Sequence, residues 1–227
     1  MAEKDGKNSE KNNEKICVLI CAGNLQIEDK DRIEKCLRRG AYLVAVDGGL
    51  DYCCQMGLKV DLCLGDFDSV SSETLDDLNL SKIVKLPVEK DDTDTLAALK
   101  LCVEKGYKEF YIFGGCGGRL DHTVANIQCL LFLKRKGCKG FLLSKAETIF
   151  VLKDEEICFE AGKTGILSLF ALSGEVKGVS IFGMKYNLDN AVITNDFPIG
   201  ISNEFTGQAG KVNVSDGEVL VIMSETP

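Results

Sequence analysis

The chain has 227 residues, 45% hydrophobic and 27% charged, with a formal net charge of −8. That length buries a real core without staples, in one large domain or two small ones, and the acidic balance speaks against a general nucleic-acid binder and a polybasic membrane surface. No apolar run reaches the roughly 18–20 residues of a spanning helix, and residues 1–15 are charged and lack the apolar core of a secretory signal, so they read as a solvated, disordered tail.

In chain order, strands are expected over 16–22, 42–46, 61–64, 82–86, 110–113 and 140–143. Between them, helices are expected over 29–39, 50–57, 72–79, 93–105 and 121–136; Leu96, Leu99 and Val103, for example, recur at helical spacing. Continuous apolar strands separated by helices imply a parallel sheet covered on both faces. From about residue 147 the helical patterns stop. Short strands are expected over 148–152, 156–159, 165–172, 176–181, 191–194, 200–206, 210–214 and 219–223, punctuated by turn residues such as Ser173-Gly174 and Asp216-Gly217. The fold class is therefore α/β. A Rossmann-like parallel sheet with helices on both faces spans 16–145, and a smaller, all-β, sandwich-like domain spans 146–227. The eleven cysteines mostly sit in apolar runs, Cys17, Cys21, Cys63, Cys102, Cys129 and Cys158 among them, and read as small core hydrophobes in a reducing cytoplasm. There is no CxxC pair, so a zinc site is not expected.

Ligands of open α/β sheets bind beyond the carboxyl ends of the strands. Polar clusters fall at those places: Cys21-Ala22-Gly23-Asn24, Asp47-Gly48-Gly49, Gly65-Asp66-Phe67-Asp68-Ser69 and the run from Gly114 to His122. A fifth, Lys90-Asp91-Asp92-Thr93-Asp94, opens a helix. Asp66 and Asp68 alternate and can converge on one ion; carboxylates are the hard oxygen donors Mg²⁺ prefers. Asp91 and Asp94 are three apart and share a face if the helix has begun there, although Asp92 or Asp94 serving only as a helix cap is an equally simple reading. Gly114, Gly115, Gly117 and Gly118 allow a close backbone approach and present N–H groups, and the following helix adds its N-terminal partial charge, which suits phosphate. Arg119 can bind phosphate oxygens in a fork. Asp121 can orient Arg119, accept from a ligand hydroxyl, or act as a base. His122, the only histidine, reads more simply as a structural residue. Ser202, Asn203 and Glu204 put polar groups on both faces of an expected strand, for which an edge strand is the bland account.

Taken together and in this order, with Ala125-Asn126 following the Gly114–His122 run, these pieces resemble the thiamine pyrophosphokinase family, its bacterial-type branch in particular. The resemblance covers nearly the whole chain after the tail. The chain lacks tryptophan, so any stacking that a Trp gives thiamine in some members must come from another residue or be absent. The resemblance implies transfer of the β,γ-diphosphoryl unit of ATP to the thiamine hydroxyl, with release of AMP, in a homodimer whose active sites lie at the subunit interface. It implies Mg²⁺ on Asp66, Asp68, Asp91 and Asp94, and ATP beside Asn24, Asp47, Gly48, Gly49, Asp91, Gly117, Gly118, Arg119 and His122. It implies thiamine beside Asp94, Ser202 and Asn203, and catalytic work by Asp66, Asp68, Asp94, Asp121 and Arg119. Two other readings compete. In a haloacid-dehalogenase-type phosphatase, Asp66 would be the nucleophile and Asp68 the acid/base, but the glycine loop goes unused. In a nucleotide- or thiamine-binding sensor, the acidic clusters would lack a purpose.

Overall fold

The computed structural model describes residues 14–67, 70, 83–85 and 91–225. The first half contains β1 (Ile16–Ile20), a 3-10 turn (Ile27–Asp29), α1 (Lys30–Leu37), β2 (Tyr42–Val46), α2 (Gly49–Gln55), β3 (Leu62–Gly65) and β4 (Ile83–Lys85). It continues through α3 (Asp94–Glu104), β5 (Glu109–Phe113), α4 (Leu120–Arg135) and β6 (Lys139–Leu143). The second half is β7 (Glu147–Lys153), β8 (Glu156–Phe159), β9 (Ile166–Ala171), β10 (Glu175–Phe182), β11 (Leu188–Thr194), β12 (Asn203–Glu204), β13 (Gly210–Asn213) and β14 (Glu218–Ser224). The helix expected over 72–79 lies outside the described residues.

Six strands pair in parallel in the order β6-β5-β1-β2-β3-β4. β1 and β2 are apolar on both faces because each face is covered. On one face Cys17, Leu19, Val44 and Ile112 pack with Ala98 and Leu99 of α3 and Leu130 and Leu133 of α4. On the other, Val18, Ile20, Leu43 and Ala45 pack with Ile33 of α1 and with Leu50 and Cys53 of α2. The helix-start question at 90–94 resolves on Thr93, whose hydroxyl accepts from the Leu96 N–H at 3.2 Å. Asp92 instead takes Lys100 Nζ on both oxygens at 2.7 Å.

The sandwich shares one of its layers with the large sheet. β7 joins β6 antiparallel, and β14, β9 and β12 follow outward, making ten strands among the described residues. Against this extension lies a four-stranded antiparallel sheet, β11-β10-β13-β8. Phe150, Leu152, Leu167, Leu169, Val219 and Val221 from the first layer meet Phe159, Val176, Val179, Ile181 and Val212 from the second. The strand expected over 200–206 shrinks to Asn203–Glu204. Ser202 adopts a left-handed φ of 58°, which an extended strand does not tolerate. Nine of the eleven cysteines are buried or half-buried, and all are free thiols; Cys158, expected in the core, is exposed, as is Cys54. Cys158 lies on β8, whose burial alternates, and it falls on the outer side. Among the described residues no helix is long and apolar enough to cross a membrane.

Candidate active site

The carboxyl ends of β1, β2 and β5 open into a cleft of about 510 Å³. Its wall includes Cys21, Gly23, Asp47, Asp94, Gly114, Gly115, Gly118, Arg119 and His122. Two chain segments, the loops after β1 and β5, meet there at backbone distance. Gly114 has φ 66°, and a Cβ on it would stand 2.3 Å from the Cys21 carbonyl oxygen; a Cβ on Gly23 would stand 2.3 Å from the Gly114 oxygen. Only glycine permits this crossing of the β1 and β5 loops.

The glycine loop is tied down through its carbonyls. Gly23 N–H donates to Gly114 O at 2.8 Å, and Asn24 N–H donates to Cys116 O at 3.2 Å. Asn126, buried on α4, donates its side-chain Nδ2 to Gly115 O at 2.8 Å. The loop runs directly into α4, whose first turn carries Asp121 and whose N-cap, Arg119, makes no side-chain cap. Arg119 Nη2 instead meets Asp121 Oδ2 at 2.6 Å and its Nε meets Oδ1 at 3.2 Å; Asp121 Oδ1 also accepts from the His122 N–H. The guanidinium holds the Asp121 carboxyl below the usual carboxylate range. Both side chains are exposed, so the pair presents a steered, solvated cation at the cleft mouth. Burial pushes the Cys21 and Cys116 thiols up to about 11. They are protonated at neutral pH and line the site as apolar groups, not nucleophiles.

The expected site residues divide into three sets. Asp47, Asp94, Gly118, Arg119 and His122 come together in the cleft wall. Asp47 has φ 49°, a left-handed conformation that Asp tolerates better than most residues. The second set borders the cleft. Gly117 stands over Asn24, where a Cβ would lie 2.9 Å from the Asn24 Cβ; Asp121 pairs with Arg119; and Asp66 follows Gly65, which packs against the Asp47 backbone. Gly48 and Gly49 are buried at the start of α2, and a Cβ on Gly49 would sit 2.0 Å from Ile20 O, so Gly49 serves the close approach of α2 to β1. Asp91 is exposed just before α3. Asp68 lies outside the described residues. Among those described, no three His, Cys, Asp or Glu side chains gather closely enough to hold a metal ion.

Ser202 and Asn203 form the third set, and one chain does not bring them to the cleft. β12 is the far edge of the large sheet, five strand steps from β5, or about 24 Å at the usual strand spacing. The Asn203 amide is also used internally: it accepts from Tyr186 N–H at 2.9 Å and donates to Tyr186 O at 2.7 Å. The polarity that marked it in the sequence is that of a buried bracket for residues 184–187.

Two family models match the chain: "Thiamin pyrophosphokinase, catalytic domain" over residues 33–142 and "Thiamin pyrophosphokinase, vitamin B1 binding domain" over residues 149–219. The chain belongs to the thiamine pyrophosphokinase family. The thiamine pyrophosphokinase of Bacillus subtilis is 29% identical over 184 residues, 80% of this chain and 86% of that protein. Thiamin pyrophosphokinase 1 of Caenorhabditis elegans is 23% identical over 188 residues, 78% of this chain and 76% of its own length. The crystal structure of the Bacillus subtilis enzyme superposes with a TM-score of 0.82 at 26% identity, covering 92% of this chain and 99% of that one. Yeast thiamin pyrophosphokinase, at 18% identity, shares the fold with a TM-score of 0.78, covering 95% of this chain and 88% of that one. The phosphatase and sensor alternatives gain no support from these matches. Within this family site, sequence reasoning missed Thr95 and Thr123 as cleft residues, and it gave Asn126 no role of its own. Asn126 was legible as part of the run that carries the resemblance; its partner, eleven residues away, required the fold.

Proposed function

We propose that this chain transfers the β,γ-diphosphoryl unit of ATP to the primary hydroxyl of thiamine, giving thiamine diphosphate and AMP. The observation that carries the reading is the cleft at the ends of β1, β2 and β5, walled by a glycine loop whose carbonyls are turned away into the protein. Such a loop offers its N–H groups to phosphate oxygens, and diphosphoryl transfer needs positioning and charge neutralisation above all. In this reading Arg119, steered by Asp121, meets the ATP phosphates. Asn24, Asp47, Gly117, Gly118 and His122 line the nucleotide side, while Gly48 and Gly49 hold α2 against β1 beneath it.

Mg²⁺ is the proposed cofactor. Asp94 in the cleft wall, Asp66 directly after the Gly65 that packs against Asp47, and Asp91, with Asp68 beyond the described residues, are hard oxygen donors. Asp94 stands on the wall of an open cleft, which leaves room for the waters and phosphate oxygens that Mg²⁺ keeps as ligands. When bound, the ion supplies positive charge against the ATP phosphates.

Residues 16–145 are taken as the nucleotide domain and 146–227 as the thiamine and dimerisation domain. The thiamine side, at Ser202 and Asn203, is proposed to come from a second copy of the chain, since its own cleft is out of reach. Tyr186, Val192, Phe197, Ile199 and Ile201 are exposed near this edge and supply apolar surface for such a two-fold dimer. With its side-chain amide engaged by Tyr186, Asn203 shapes that pocket and Ser202 offers its hydroxyl. A reducing, cytoplasmic setting is proposed from the free thiols.

Incubation with ATP, Mg²⁺ and thiamine, followed by chromatography, tests the reading. AMP and thiamine diphosphate in equal amounts are expected. A phosphoenzyme with no thiamine dependence would favour the phosphatase, and binding of both ligands without AMP the sensor. Light scattering is expected to give twice the chain mass; a monomer active at the same specific rate rejects the shared site.

A further inference from the structure

Each of the three peptide units at the centre of the glycine loop has its carbonyl held by a different partner. Gly114 O is held by the Gly23 N–H, Cys116 O by the Asn24 N–H, and Gly115 O, between them, by the Asn126 side chain. The carbonyl and N–H of a trans peptide point in opposite directions. Fixing these carbonyls toward the protein therefore turns the N–H groups of Gly115, Cys116 and Gly117 the other way. Among the described residues, none of those three N–H groups donates to another backbone group outside the regular ladders. The middle peptide is the one whose orientation depends on a side chain. Asn126 is only 6% exposed, yet belongs to the cleft wall, and Gly115 packs close enough that a Cβ there would stand 3.2 Å from Nδ2.

We propose that Asn126 is a positioning residue for the diphosphotransferase reaction: its Nδ2–H clamps the Gly115 carbonyl and so aims the Cys116 N–H at an ATP phosphate. The inference rests on the ATP reading above. Asn126 touches no reacting atom in this scheme. It acts through the loop, and a lost amide clamp lets the Gly115–Cys116 peptide turn, since glycine at 115 does not resist rotation. The loss belongs to nucleotide binding and to kcat, not to thiamine, whose proposed contacts at Ser202 and Asn203 come from the second copy of the chain and not from the glycine loop.

The test uses Asn126→Asp, which keeps the volume but replaces the donor with an acceptor facing Gly115 O, and Asn126→Ala as a second variant. Binding of α,β-methylene-ATP with Mg²⁺ is measured by calorimetry, and the Cys116 amide is followed by ¹⁵N NMR in the full-length protein. In both variants the analogue is expected to bind about tenfold or more weakly, the size of one hydrogen bond with a buried acceptor left unmet. The KM for thiamine is expected to stay within about twofold, well below that loss. The Cys116 amide resonance, which shifts when the analogue binds to the wild type, is expected to lose that response. Variants that fold and bind the analogue as the wild type does, with the Cys116 response intact, overturn the proposal. So does an equal loss for ATP and thiamine, which marks a purely structural role. A wild type that does not bind the analogue, but whose Cys116 resonance still moves on substitution of Asn126, upholds the clamp and overturns the ATP reading.

Discussion

The glycine loop over 114–118 and the polar segment over 200–206 both stand out in the sequence, and the fold uses them in opposite ways. The loop's carbonyls are satisfied inside its own chain by Gly23, Asn24 and Asn126. Among the described residues, the N–H groups of Gly115, Cys116 and Gly117 donate to no backbone group outside the regular ladders, which leaves them for the proposed ATP phosphates. In the second segment the conspicuous polar atoms are consumed internally: Asn203 brackets Tyr186, and the Ser202 N–H donates to Ser168 Oγ at 3.0 Å. That segment becomes functional only if another chain brings it to a cleft. A polar cluster therefore signals chemistry when the fold leaves its groups without an internal partner, not simply when it is polar.

Four substitutions test this contrast, from the largest expected effect to the smallest. Gly23→Ala drives a methyl against Gly114 O and must part the β1 and β5 loops. Turnover is expected to fall at least about a hundredfold, with about 3 kcal/mol lost in denaturant unfolding. Unchanged turnover would show that the crossing does not matter. Asn203→Ala removes a buried amide that serves Tyr186, so about 2 kcal/mol of stability is expected to go. If KM for thiamine rises while stability holds, the segment is a binding surface in its own right and the contrast weakens.

Glu218→Gln tests the joint between the two halves. Arg135, at the end of α4, grips Glu218 at the start of β14 with contacts of 2.8 and 2.6 Å, and Lys153 lies 3.6 Å away. The variant is expected to lose about 1–3 kcal/mol with substrate constants unchanged. The Arg135 guanidinium holds the Glu218 carboxyl below its ordinary range. Its contribution is therefore complete above the unfolded value, at about pH 5 and higher, and is lost as pH falls through the depressed folded value. Unfolding midpoints of wild type and variant should converge in acid. Arg119→Ala comes last. Because the ion pair with Asp121 is exposed, stability should not move, whereas KM for ATP should rise about tenfold and KM for thiamine should not. Equal ATP kinetics in the two proteins exclude a phosphate role for Arg119.

Much of the first half was legible from periodicity. Apart from the helix expected over 72–79, which lies outside the described residues, the strand and helix order up to residue 143 follows from apolar runs and spacing, and element ends differ by a residue or two, as with α3 starting at Asp94 after the Thr93 cap. The second half was legible as strands but not as layers. Nothing local in residues 147–153 says that β7 pairs with β6, because antiparallel pairing across a short turn looks the same whether it extends a sheet or opens a new one. Cys158 was misplaced for a related reason: an alternating strand has two faces, and residue type alone does not choose between them.

The sequence by itself determined the class of the protein, the strand ends where the polar clusters fall, and the glycines at 23 and 114, because backbone crossings closer than a Cβ allows admit no other residue. Tertiary structure alone decided which polar groups stay available. Asn126 and Asn203 are the same residue type, both buried and both hydrogen-bonded to a backbone carbonyl. One holds the wall of a cleft and the other an edge of the sheet about 24 Å from β5 along the strand order. The difference is set by contacts eleven and seventeen residues away in the chain. Hydrogen bonds at those separations form only after the sheets have fixed the distance between their ends.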